Sequence, residues 1–127
     1  IDPGAGETIV VVDDEPAIRR MIADELAEAG YSVIEAGSGA EGLRRLEADL
    51  RIDLLITDVG LPGGMNGRQM ADAARTTRRE LKVLFITGYA ENAVLGNGHL
   101  DRGMDILTKP FEIAQLTAKV RAILDRG

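Results

Sequence analysis

Five side chains able to do chemistry stand at the carboxyl ends of short apolar runs. Asp13 and Asp14 follow residues 8–12, Asp58 follows 53–57, Thr87 closes 82–87, and Lys109 follows 104–108. Taken alone, Asp13-Asp14-Glu15 is a charge run suited to a solvated helix N-terminus, where the macrodipole favours acids. Asp58 changes that reading if the fold brings it alongside. Each pair of carboxylates at 4 Å repels by about 4 kcal/mol at an effective dielectric near 20. Such a cluster persists by sharing protons or by binding a cation. Oxygen donors without His or Cys suit a hard ion, and Mg²⁺ held by a few carboxylates, waters and a phosphate is the common solution. Lys109 adds a compact positive charge, which in the resting state can simply be a salt-bridge partner. Thr87 alone is an ordinary strand-end threonine. Together, a cation, a carboxylate, a lysine and a hydroxyl are the parts of a phosphoryl-transfer site. The carboxylate can itself be the nucleophile, giving an aspartyl phosphate.

These residues meet only if the intervening chain makes the right elements. Residues 8–12 (Thr-Ile-Val-Val-Val) are β-branched throughout, without alternation, as in a strand covered on both faces. Pro16 stands where a helix accepts proline in its first turn. Ile18, Met21, Ile22 and Leu26 follow at helical spacing, and Gly30 is a stop signal. Residues 31–36 read as a second strand. Ser38 can cap a helix with Ala40, Leu43 and Leu46 on one face. A third strand at 53–57 leads through a loop rich in Gly and Pro to a helix over about 67–77. Strands at 82–87 and 104–108 follow, and a helix at 112–125 closes the pattern, with Ile113, Leu116, Val120, Ile123 and Leu124 facing inward. Between them, 90–103 holds Gly96, Gly98 and Gly103, so any helix there is short or frayed. The order βαβαβαβ(α)βα calls for a parallel sheet with helices on both faces. The carboxyl ends of its strands share one crevice at the topological switch point, where ligands bind.

Bulk properties agree with one domain. The chain has 127 residues, 45% of them hydrophobic and 28% charged, so it buries a core without a metal or disulfide staple. It has no cysteine, which excludes disulfides and thiolate metal sites and favours an intracellular, cytoplasmic home. A net charge of -6 disfavours direct nucleic-acid binding, which needs a basic face. No apolar run is long enough to span a membrane. Residues 1–7 have no periodicity and read as a linker or non-native remnant, leaving 8–127 as the domain. His99 reads as an exposed loop residue. Met21, Met70, Met104 and Phe85 read as core, and the pairs Arg19-Arg20, Arg44-Arg45 and Arg78-Arg79 as solvated helix edges.

The sequence resembles the receiver domains of bacterial two-component response regulators. The matching stretches are Val11-Val12-Asp13-Asp14-Glu15-Pro16, Asp53-Leu54-Leu55-Ile56-Thr57-Asp58 with Leu61-Pro62, Thr87-Gly88, and Thr108-Lys109-Pro110-Phe111. Each is weak alone; their order and spacing along the whole chain from Thr8 are specific. The resemblance implies a flavodoxin-like fold, a doubly wound five-stranded parallel sheet of order 2-1-3-4-5. It implies that Asp58 is the phosphoacceptor, and that Asp13, Asp14, Asp58 and the Gly60 backbone carbonyl hold Mg²⁺. Thr87 becomes the switch hydroxyl, and Lys109 pairs with the phosphoryl group. The donor is a histidine kinase or a histidine phosphotransfer domain. The domain itself is no enzyme beyond its own phosphorylation and dephosphorylation.

Two departures stand out. The loop 59–67 is one residue longer than the common form, and Ile106 occupies the position where the family often carries an aromatic switch residue. Tyr89, within Phe85-Ile86-Thr87-Gly88-Tyr89, resembles receivers fused to hybrid histidine kinases, and this is the preferred context; a stand-alone regulator is the alternative. A metal-dependent phosphatase using an aspartyl phosphate needs a second Asp two residues after the nucleophile, where this chain has Gly60. A degenerate receiver acting only as an interaction module is disfavoured by the complete site. Two further expectations are a cis Lys109-Pro110 bond, and a response to phosphorylation centred on residues 88–103 with Tyr89 as the mobile side chain.

Overall fold

The computed structural model describes residues 6–48, 51–88 and 102–125. Its elements run β1 (Thr8–Val12), α1 (Pro16–Glu28), β2 (Ser32–Ala36), α2 (Gly39–Ala48), β3 (Leu54–Asp58), α3 (Gly67–Arg75), β4 (Lys82–Thr87), β5 (Met104–Thr108) and α4 (Ile113–Asp125). All strand pairs are parallel, in the order β2-β1-β3-β4-β5. This is the doubly wound sheet expected from the alternation of apolar runs and helical patterns. Among the described residues, no helix is long and apolar enough to cross a membrane.

Strand side chains alternate between two cores, which is why the runs carry no polar alternation. Ile9, Val11, Leu54, Ile56, Leu84 and Ile86 pack with Ile22 and Leu26 of α1 and Leu116, Val120 and Ile123 of α4. Val10, Val12, Leu55, Val83 and Phe85 pack on the other face with Leu46 of α2 and Met70, Ala71 and Ala74 of α3. The three central strands are buried along almost their whole length. At roughly 1.5–3 kcal/mol per fully buried aliphatic or Phe side chain, this double core holds the sheet rigid beneath the loops at its rim.

Several sequence expectations need correction. Met21 is exposed, because α1 turns Ile22, Ala23 and Leu26 inward and leaves Met21 on its outer flank. The inner face of α2 is Gly39, Gly42 and Leu46, with Leu43 half-buried and Ala40 exposed. Helix α3 ends at Arg75, two residues early, as Thr76 and Thr77 turn their hydroxyls back to the carbonyls of Ala73 and Ala74. Asp53 precedes β3, where its carboxylate accepts the Thr8 N–H at 2.8 Å. Glu7 belongs to the fold: its carbonyl accepts the Ser32 N–H, and its carboxylate pairs with Arg121 of α4 at 3.0 Å. Arg19 and Arg78 are not merely solvated. Arg78 donates to the Leu46 carbonyl at 2.7 Å, tying the end of α3 to α2, and Arg19 serves the site described below. Tyr89 and His99 lie outside the described residues, as does nearly all of 88–103.

Helices α2 and α3 approach each other on one face of the sheet at Gly42. A Cβ there would sit 2.5 Å from Met70 Sδ and 2.8 Å from Val12 Cγ2, both fully buried side chains. Alanine in place of a mid-helix glycine contributes about 1 kcal/mol of helix propensity. Overpacking a closed core costs about 1–3 kcal/mol, and Val12 cannot swing aside on the rigid strand. Gly42→Ala is therefore expected to destabilise the domain by about 1 kcal/mol net in urea unfolding. A stabilised variant would show that Met70 gives way freely.

Candidate functional site

The site sits on the carboxyl rim of the central strands. Val12 pairs with Thr57, Asp58 with Ile86, and Thr87 with Thr108. Asp13 and Lys109 come one residue after β1 and β5, so consecutive strands deliver Asp13, Asp58, Thr87 and Lys109 to nearly one level. Asp13, Asp14 and Asp58 each place a carboxylate oxygen within 4.8 Å of the other two. Asp13 and Asp58 are buried, while Asp14 is exposed at the mouth.

Each buried carboxylate is held by a backbone N–H and set by its neighbours. Asp58 Oδ1 accepts from Gly60 N at 2.9 Å, and Asp58 Oδ2 pairs with Lys109 Nζ at 2.9 Å. Asp13 Oδ1 accepts from Glu15 N at 2.9 Å, and the Asp13 N–H donates to the Ala36 carbonyl. The Lys109 N–H donates to the Thr87 carbonyl at 2.7 Å, and the Lys109–Pro110 peptide is cis, as expected. Thr87 is fully buried at the end of β4. Behind Asp58, Gly67 opens α3 at close range: a Cβ there would lie 2.3 Å from the Asp58 carbonyl oxygen and 2.9 Å from Thr57 Oγ1. Any larger residue would push the start of α3 off the peptide that carries Asp58.

Asp13, Asp14, Asp58 and Lys109 thus come together, Thr87 ends the adjoining strand at the same level, and Gly60 reaches the cluster through its N–H. Two supporting residues were missed. Gly67 carries no chemical signal, since its role is absence of bulk. Arg19 read as a helix-edge cation, yet its Nη1 donates to the Asp13 carbonyl at 2.9 Å and its Nε to Glu35 Oε1 at 3.1 Å. Its place one turn into α1 after an acidic pair was the available clue.

The donor set consists of carboxylate oxygens without sulfur or imidazole, which fits a hard divalent cation. The electrostatics agree. Burial raises the Asp13 pKa above its usual 3.8; the Glu15 N–H opposes the shift, Asp58 adds to it, Lys109 opposes it, and Asp14 adds to it. The folded protein therefore holds a proton on Asp13 more tightly than the unfolded chain does. Its contribution to stability is fully present below pH 3.8 and is lost as pH rises through the higher folded value. Asp13→Asn removes that penalty while keeping an acceptor for the Glu15 N–H. In metal-free buffer at pH 7 the variant is expected to be more stable by about 1 kcal/mol, as is common when a functional site is relieved of strain. Thermal unfolding across a pH series checks this: the advantage should vanish toward pH 3.8. A pH-independent difference would contradict it.

Comparison with known proteins follows the same outline. A family model described as the response regulator receiver domain matches residues 9–121. The sensor kinase CckA of Brucella abortus (strain 2308) is 34% identical over 126 residues, covering 98% of this chain but only 13% of the kinase. The response regulator receiver protein CpdR of the same organism is 32% identical over 116 residues, 91% of this chain and 95% of that protein. Among solved structures, the receiver domain of the hybrid histidine kinase CckA superposes with a TM-score of 0.78 at 34% identity, over 93% of this chain and 99% of that one. The family match runs from β1 into α4 and spans every residue of the acidic site: the chain belongs to the response regulator receiver domains of two-component systems.

Proposed function

We propose that Asp58 accepts a phosphoryl group from a phosphohistidine of a histidine kinase or histidine phosphotransfer domain. The observation that carries this is the setting of the Asp58 carboxylate, with one oxygen on Lys109 Nζ and the other on the Gly60 N–H, inside a three-carboxylate cluster. In the transfer an Asp58 oxygen attacks phosphorus, the P–N bond to the imidazole breaks, and the ring nitrogen keeps the electron pair. The Gly60 N–H orients the carboxylate. Lys109 releases its hold on the carboxylate oxygen and follows the charge onto the phosphoryl oxygens. Thr87, on the adjoining strand, offers a hydroxyl to the new acceptors. Asp13, Asp14, Asp58 and the Gly60 carbonyl are the groups that would hold Mg²⁺, which when bound supplies countercharge to the phosphoryl oxygens.

The same reading places the domain in a hybrid histidine kinase, supported by the likeness to CckA. The match to CpdR along 95% of that protein favours the stand-alone alternative. Immunoblotting of source cells with an antibody to this domain separates the two: a product several times this chain's size supports fusion, and one of its own size supports the stand-alone regulator.

Incubation with acetyl phosphate and Mg²⁺, followed by intact-mass measurement, is expected to add one phosphoryl group. Asp58→Asn or excess EDTA should abolish the addition, and Lys109→Gln should slow it by about 100-fold, the scale for losing one donor to developing charge. Incorporation that survives Asp58→Asn or EDTA would overturn the assignment.

A further inference from the structure

The acidic pair Asp13-Asp14 needs a rigid backbone beneath it, since like charges at close range push the loop apart. The Asp13 N–H is fixed by the Ala36 carbonyl, and its carboxylate by the Glu15 N–H. The remaining polar group of that residue is its carbonyl, which belongs to the peptide joining Asp13 to Asp14. Arg19 Nη1 donates to it at 2.9 Å, while Arg19 Nε is pinned to Glu35 Oε1 at 3.1 Å. The Arg19 side chain is 22% exposed and Glu35 28%, so this is a sheltered, doubly anchored contact unlike a surface ion pair. Space for it is reserved: a Cβ on Gly37 would lie 3.2 Å from Arg19 Nη1, and the Gly37 N–H is held by Glu41 Oε1 at 2.7 Å. A planar guanidinium can serve the carbonyl and the carboxylate at once; an ammonium on a flexible stem cannot hold both with the same geometry.

We propose that Arg19 is a positioning residue for the acidic site: by bracing the Asp13–Asp14 peptide against Glu35 of β2, it sets the direction of the Asp14 carboxylate. The cation's charge is spent on a carbonyl and on Glu35, so the three site carboxylates keep theirs for the metal. This inference rests on the proposed reading that the site takes Mg²⁺ and that Asp58 is phosphorylated. Partners that orient ligands from behind typically contribute 10–100-fold to metal affinity.

The test measures Mg²⁺ binding by calorimetry on the whole chain, together with amide exchange of residues 13–15 in metal-free buffer, for wild type, Arg19→Ala, Arg19→Lys and Arg20→Ala. Arg20 reaches Glu35 at 3.5 Å, is largely exposed, and has no bond to the acidic loop, so it controls for loss of charge near Glu35. Arg19→Ala is expected to weaken Mg²⁺ about 10-fold or more and to speed exchange at residues 13–15, with Arg19→Lys intermediate and Arg20→Ala like wild type. Saturating Mg²⁺ should restore acetyl-phosphate labelling of Arg19→Ala to near the wild-type rate. Unaltered Mg²⁺ affinity in a folded Arg19→Ala, or equal losses in Arg19→Ala and Arg20→Ala, would overturn the proposal. If Arg19→Ala fails to fold, Arg19→Lys with wild-type affinity and exchange overturns it equally. Wild type that neither binds Mg²⁺ nor is labelled would instead overturn the reading on which it rests.

Discussion

Three carboxylates and one ammonium share a space in which one oxygen from each acid lies within 4.8 Å of the other two, and two of the acids are buried. The Asp58–Lys109 pair at 2.9 Å neutralises one charge and leaves the group net negative. Nothing about that arrangement is self-stabilising: burial raises the Asp13 pKa, and Asp58 and Asp14 push it further. The rest of the molecule answers this constraint. Backbone N–H groups of Glu15 and Gly60 fix the two buried carboxylates without cancelling their charge. Hydrogen bonds from neutral donors orient an acid and still leave it negative, whereas more lysines would have closed the site to a cation.

Holding such a cluster requires a platform that does not yield. Strands β1, β3 and β4 are buried on both faces, so the rim residues stand on strand ends or within two residues of them, anchored to a rigid sheet. The topology does the gathering. From β1 the chain goes to one side to make β2 and returns to the other to make β3, which places the ends of β1 and β3 side by side with no helix crossing above them. Close approach from below finishes the job: Gly67 lets α3 begin against the Asp58 peptide.

What the sequence made legible follows from this division. Strands β1 and β4, buried almost throughout, are apolar runs whose bounds are readable to the residue. Edge strand β5 is readable too although only Met104 and Leu107 of it are buried, and Asp58 shifts only from just after β3 to its last position. The polar residues ending those runs were equally visible. Helix faces were harder, because apolar residues on α1 and α2 outnumber the places the sheet can cover. Met21 lost to Ala23 on α1, and Ala40 to Gly39 and Gly42 on α2, where the loop residue Met65 crowds Gly39 and Val12 of the sheet with Met70 of α3 crowds Gly42. Long arginines were misread for a related reason. Arg19 and Arg78 reach carbonyl oxygens on other segments, and no local pattern reports which carbonyls a fold leaves in need of a donor. Glu7 reads as linker in the sequence because its partners, Ser32 and Arg121, come from β2 and from α4.

The same contacts limit how a change at Asp58 can spread. Lys109 grips Asp58 with its ammonium and the Thr87 carbonyl with its N–H, so β4 and β5 end in one shared hydrogen-bonded corner. The main chain of Thr87 is thereby tethered to the residue that pairs with Asp58, and its side chain is fully buried. Ile106, in the family's frequent aromatic position, pairs in register with Phe85 and packs half-buried against the core formed with α2 and α3. A branched aliphatic side chain there fills space but has no long ring to exchange between an inner and an outer position. Coupling through an aromatic flip on β5 is therefore closed to this chain. Among the described residues the corner itself is the link to the rim: under the proposed phosphorylation, a Lys109 ammonium drawn from the carboxylate toward new charge would pull on the Thr87 carbonyl, and Gly88 is the next residue along the backbone.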